Sequence, residues 1–163
     1  MSFVVRNALS EDVEAIVVLV NKLHVDQTST NPYFKDKIEF IDVNEQYLEH
    51  IKNPNRAIFV VESDHSIVGF IEVRIHEKDF YFHIDNYAYI LHCYVEIGER
   101  NHFIMKKLLD AVEEWAISKK VKYLQADVYN HNIRVAQALK HLRYDTYRMR
   151  MVKELKNNCG ECK

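Results

Sequence analysis

Residues 87–129 read YAYILHCYVEIGERNHFIMKKLLDAVEEWAISKKVKYLQADVY. Residues 87–95 are aromatic and apolar, the composition of a buried strand. A polar turn at residues 96–101 leads into a run whose apolar residues Ile104, Leu108, Ala111, Val112 and Trp115 recur at helical spacing. Lys119 and Lys120 close its last turn, where cations suit the helix dipole. Leu124, Ala126 and Val128 then alternate as a second strand. Strand, long helix and strand in succession predict one parallel crossover, because two parallel strands need a connection of that length.

The flanks complete the order. Upstream, residues 3–7 form a strand, and Ser10 is placed to cap a helix whose apolar positions are Val13, Ile16, Val17, Val20 and Leu23. Residues 27–37 are polar and broken by Asn31-Pro32, and a second helix spans residues 44–51. Residues 57–62 and 67–76 read as a hairpin around Ser63-Asp64-His65-Ser66. Downstream, Asn132 can cap a helix carrying Val135, Leu139 and Leu142. Tyr147, Met149 and Met151 alternate with Arg148 and Arg150 as a last strand. The expected fold is α/β, of the α+β kind: a single domain over residues 1–155, a mixed and mostly antiparallel sheet flanked by helices, and a tail at 156–163.

Composition narrows the function. The chain has 163 residues, 48% hydrophobic and 28% charged, with 22 basic and 24 acidic side chains and a net charge of -2. That is ordinary globular composition, with no basic field for nucleic acid or an anionic membrane. The apolar runs are far too short to span a bilayer, and the first residues lack the pattern of a signal peptide. Three cysteines and no zinc-ligand pattern point to a reducing, cytoplasmic setting. Cys93 reads as a core residue, and Cys159 and Cys162 as a loose C-x-x-C in the tail. The nine histidines show no H-E-x-x-H pattern, so no metal site is expected. Three glycines, Gly69, Gly98 and Gly160, are few against the roughly 7% typical of proteins.

Several strings together resemble the GNAT (Gcn5-related) N-acetyltransferase family. Ile67-Val68-Gly69-Phe70-Ile71 is similar to its third strand, and Tyr94-Val95 followed by Arg100 to the end of its fourth strand and cofactor loop. Lys107-Leu108-Leu109 with Glu114-Trp115-Ala116 is similar to the next helix, and Asp127-Val128-Tyr129-Asn130-His131-Asn132 to the fifth strand and the start of the fourth helix. The resemblance implies transfer of an acetyl group from acetyl-CoA to a primary amine of a small molecule or peptide. It places the cofactor at Val95, Arg100, Asn101, His102, Phe103, Ile104, Met105 and Asn132. The physical reason is that a helix N-terminus offers unpaired N–H groups to a pyrophosphate.

The same strings depart from the family. Its loop reads Gln/Arg-x-x-Gly-x-Gly/Ala, whereas Phe103 and Met105 stand in the small positions. Leu139 replaces the usual tyrosine proton donor, Arg143-Tyr144 the glycine-aromatic pair, and Tyr89 the strand-four glutamate. The remaining catalytic candidates are Glu72 and His92 as bases, with Glu96 beside them, and Tyr144 or Tyr129 as proton donor. Acidic residues Asp26, Asp36, Glu39, Glu77, Asp79 and Asp85, with Phe80, Tyr81 and Phe82, would suit an acceptor amine, a cationic one included. A homodimer is compatible with this reading. The alternative is a GNAT-fold binding or regulatory protein with impaired catalysis and weak or no CoA binding.

Overall fold

The computed structural model describes residues 3–31, 33–35, 43–77, 83, 85–100 and 102–153. Residues 3–128 belong to one compact unit, and the chain from Tyr129 onward to a second. In the first unit β1 (Phe3–Asn7), α1 (Val13–Thr28) and α2 (Val43–Lys52) precede β2 (Arg56–Ser63), β3 (Ser66–Glu77) and β4 (Asn86–Val95). Then come α3 (His102–Ser118) and β5 (Leu124–Ala126). The second unit carries α4 (Ile133–His141). The sheet runs β1-β2-β3-β4-β5, antiparallel throughout except for β4 and β5, which are parallel as the crossover requires.

Alternation divides the sheet into two faces. Ile58, Val60, Phe70 and Tyr94 join Val13, Ile16 and Leu19 of α1 and Val43 and Tyr47 of α2 in one buried cluster. Phe59, Val61, Ile71 and Val73 point to the opposite face and are equally buried. There α3 contributes Ile104, Leu108 and Val112, the stripe expected from its spacing.

One irregularity positions the site. Glu72 pairs with His92, but Val73 pairs with Ile90, so Leu91 is an extra residue in β4, a β-bulge. A bulge bends its strand and raises the local twist. The β4–β5 ladder ends at Ile90↔Ala126, where the bulge begins. From Leu91 to Val95, β4 continues along β3 without β5.

Three local expectations need correction. Ser10 does not cap α1; residues Ser10–Asp12 form a 3-10 turn, and Asp12 Oδ2 reaches back to accept the Leu9 N–H at 2.7 Å. Asp12 can do so because Arg6 grips it at 2.7 and 3.0 Å, which also holds its carboxyl below the ordinary range against the opposing cost of burial. The last strand does not form: residues 144–153 carry no ladder, and Tyr147, Met149 and Met151 are 64%, 80% and 86% exposed. Alternating polarity defines two faces, but a strand exists only once a partner completes its hydrogen bonds. Finally, β5 stops at Ala126, short of Val128. The Cys159/Cys162 tail lies outside the described residues.

Among the described residues left-handed conformations are held without glycine. The β2–β3 loop uses Asp64 (φ 47°) and His65 (φ 64°), as a type I′ turn requires. α3 ends with Lys120 at φ 59°, whose N–H meets the Ile117 carbonyl while that of Val121 meets Ala116. α4 ends the same way, with Arg143 at φ 67° bonded to Lys140 and Tyr144 to Leu139. Both are Schellman motifs, a site usually given to glycine. Gly69 serves close approach instead: a Cβ there would lie 3.0 Å from the Tyr94 carbonyl and 3.1 Å from Val95 Cγ2.

Candidate active site

Beside the bulge, side chains from α2, β2 and β4 converge on one carboxylate of β3. Glu72 is fully buried. Its Oε1 accepts from Arg56 Nη1 at 2.8 Å and lies 2.9 Å from His50 Nδ1, within ion-pair range though off hydrogen-bond alignment. Its Oε2 lies 3.0 Å from His92 Nδ1 and 3.5 Å from the Tyr47 hydroxyl. Each position follows from local structure. Tyr47 and His50 are three apart on α2 and share a helix face. Ile58, Glu72 and His92 are directly opposite one another across three strands.

Burial alone would raise the Glu72 pKa. The close contacts and charges of His50 and His92 outweigh it and hold the carboxyl down at about 2. Glu72 is thus an anion near neutral pH and a weak base. The same surroundings, burial first and then the Glu72 charge, push the Tyr47 hydroxyl far above its ordinary value. His92 differs in being 44% exposed at its side chain. A carboxylate can only accept, so Nδ1 of His92 carries the proton toward Glu72. In the neutral ring Nε2 is then the basic nitrogen.

The site candidates distribute unevenly. Glu72 and His92 are brought together. Tyr144 lies in the second unit, where its N–H closes α4. Tyr129, in the same unit, stacks on His131 with ring planes 8° apart. Glu96 is ion-paired with Lys22 of α1. Tyr89 sits half-buried edge-on to His76. Leu139 belongs to α4, and Asn132 caps that helix, its Oδ1 accepting the Val135 N–H at 3.4 Å.

On the loop expected to hold the cofactor, Val95 is buried, and its carbonyl accepts from Arg100 Nε at 2.8 Å. Arg100 also donates from Nη2 to Asp26 Oδ2 at 3.0 Å and lies 5.2 Å from the centre of the Tyr94 ring. Phe103 is 73% exposed in the first turn of α3, Met105 is half-buried and Ile104 is core. Asn101 lies outside the described residues, as do Asp36, Glu39, Asp79, Phe80, Tyr81 and Phe82. Of the other acidic residues, Glu77 and Asp85 are exposed and Asp26 is engaged by Arg100. Burial pushes the Cys93 thiol up to about 12, fitting a packing residue rather than a nucleophile. No group of metal-binding side chains and no helix long and apolar enough to cross a membrane occurs among the described residues.

His50, Arg56 and Tyr47 were not legible as site residues. The available signal was Glu72 itself, a carboxylate on the strand face that carries Phe70 into the core.

The sequence signature of the acetyltransferase (GNAT) family matches residues 20–142. This chain belongs to that family. A mutant of the BH1408 protein from Bacillus halodurans shares the fold with a TM-score of 0.83 at 15% identity, covering 94% of this chain and 99% of that one. The aminoglycoside acetyltransferase AAC(6')-Iy, solved with a CoA-containing bisubstrate analogue, gives a TM-score of 0.75 at 16% identity over 96% of this chain and 99% of its own. A predicted acetyltransferase with acetyl-CoA from Clostridium acetobutylicum gives 0.73 at 14% identity, over 93% and 96%. No curated protein sequence matches the chain. In this GNAT-family chain the bulged stretch of β4, paired to β3 but not to β5, leads through a short turn to the start of α3, and it carries the partly exposed His92.

Proposed function

We propose that the protein is an acetyl-CoA-dependent N-acetyltransferase acting on a primary amine of a small molecule or peptide, with His92 as the catalytic base and Glu72 as its positioning residue. The observation that carries this reading is the 3.0 Å contact between His92 Nδ1 and a buried carboxylate beside the β4 bulge. Acetyl-CoA supplies the activated acyl group; the amine attacks its carbonyl and the thiolate leaves. The chain has the means to hold it: β4 edge groups from Leu91 to Val95 that β5 does not pair, and the N–H groups opening α3. Arg100, Phe103, Ile104 and Met105 stand at the expected phosphate end; Asn101 and the His102 side chain lie outside the described residues.

His92 takes the amine proton at Nε2 while Glu72 stabilises the imidazolium that results. A backbone N–H near Val95 faces the charge that develops on the carbonyl oxygen. Neither function needs the side chains this sequence lacks. Free amines in a reducing cytoplasm are the expected acceptors, cationic ones included, although Asp26 is occupied by Arg100.

The test is acetyl transfer to a panel of amines by wild type and His92→Gln. The variant should lose 10²–10⁴-fold in kcat with little change in the KM for acetyl-CoA. Equal rates for the two proteins would end the assignment of His92. The rival non-catalytic reading is favoured by the engagement of Arg100 with Val95 and Asp26. It replaces this one if acetyl-CoA at millimolar concentration fails to raise the melting temperature.

A further inference from the structure

We infer that the sheet face next to His92 carries an anion site centred on Arg74, and that the acceptor amine therefore also bears a carboxylate. This deepens the acetyltransferase reading and rests on it for the word acceptor. Arg74 follows Glu72 by two residues on β3 and so shares its face. Its direct cross-strand neighbours are Arg56 on β2 and Tyr89 on β4. Like charges directly opposite one another in a sheet are destabilising. Among the described residues the carboxylate nearest in register to this pair, Glu72, is taken by Arg56. Among the described residues no carboxylate lies within ion-pair range of Arg74, although the residue is only half exposed. Among the described residues the Arg56–Arg74 pair thus sets two guanidinium groups against one carboxylate.

The surplus cation is also aimed. Arg74 Nε donates to His76 Nε2, which fixes the direction of the guanidinium along β3; its terminal N–H groups meet no carboxylate among the described residues. His76 in turn stacks on Tyr87, with ring centres 5.3 Å apart, and meets Tyr89 edge-on at the same distance. A guanidinium held in this way offers two parallel N–H donors, the geometry that a carboxylate accepts. Local frustration of this kind, with like charges opposed and one unmatched, is expected where a ligand completes the charge balance.

Spacing sets the ligand length. The Arg74 row lies about 7 Å along the strand from the Glu72–His92 row. An amine at His92 Nε2 and a carboxylate on Arg74 thus belong to one molecule of ω-amino acid or dipeptide length. A polycation has no partner at Arg74.

The experiment compares L-lysine and glycylglycine with their neutral amides, and with kanamycin as a polycation, in acetyl transfer and in NMR titration of the labelled protein. Wild type should prefer each acid over its amide by 30-fold or more, mainly in KM. Arg74→Met should erase that preference and weaken binding of the acid by a similar factor, leaving the amide unchanged. Arg74→Lys should retain part of the preference. Because Arg74→Met removes a like-charge contact, its melting temperature should not fall. Equal use of acid and amide, equal loss for both in Arg74→Met, or a preference for kanamycin would overturn the anion site and leave acetyl transfer standing. Arg74-dependent binding of the acids without turnover of any amine would uphold the anion site and remove the acetyltransferase reading.

Discussion

Replacing Glu72 with glutamine removes the charge on which four side chains converge and changes little else in shape. Glu72 is fully buried and touches Arg56 at 2.8 Å, His50 at 2.9 Å and His92 at 3.0 Å. The glutamine would leave the Arg56 side chain, only 19% exposed, with its guanidinium facing a neutral amide. Removing one partner of a buried ion pair costs about 3–5 kcal/mol. Linkage gives a similar figure: a carboxyl held at about 2 rather than 4.5 contributes roughly 3 kcal/mol to folding. In a chain of this size that corresponds to a fall in Tm of about 6–20 °C, read by thermal unfolding at pH 7. The pH dependence supplies a second readout. The folded-state value is depressed, so the stabilisation is complete above pH 4.5 and is lost as pH falls toward 2. The difference in stability between wild type and Glu72→Gln should shrink across that window. The double variant Arg56→Met with Glu72→Met should recover much of the loss, since a well-packed apolar pair can equal a buried ion pair. A glutamine variant within about 0.5 kcal/mol of wild type at pH 7, or a difference that does not change with pH, would refute the reasoning.

Further outcomes follow from the backbone and the cofactor loop. Arg143→Gly and Lys120→Gly should each stabilise by about 1 kcal/mol in urea unfolding, because both residues hold left-handed conformations at helix ends. Gly69→Ala should destabilise by about 1–3 kcal/mol, since its Cβ would meet the Tyr94 carbonyl at 3.0 Å and that backbone cannot turn away. Phe103→Gly with Met105→Gly should lower helix stability by about 1 kcal/mol per glycine yet tighten acetyl-CoA binding by tenfold in isothermal titration, if the bulk of these residues limits phosphate approach. Unchanged affinity would mean that Phe103, already turned to solvent, obstructs nothing.

The sequence by itself determined the order of elements, the crossover and most element boundaries. Their signals are local: the apolar period of α3, the breaker after α1 and the Asn132 cap are each read within one segment. It also carried the family resemblance that the match over residues 20–142 established. It left open whether Glu72 lay on a solvated face or a buried one, because period-2 alternation does not say what covers a strand. Only the tertiary structure decided that α2 lies over it, bringing His50 and Tyr47 to a carboxylate more than twenty residues away. The bulge at Leu91 was equally invisible, being a property of two strands in register and not of either one. The alternation of Tyr147, Met149 and Met151 shows the same limit in reverse. A pattern written in one segment became no strand over residues 144–153, because the hydrogen-bond partner that makes a strand is not supplied by the segment itself.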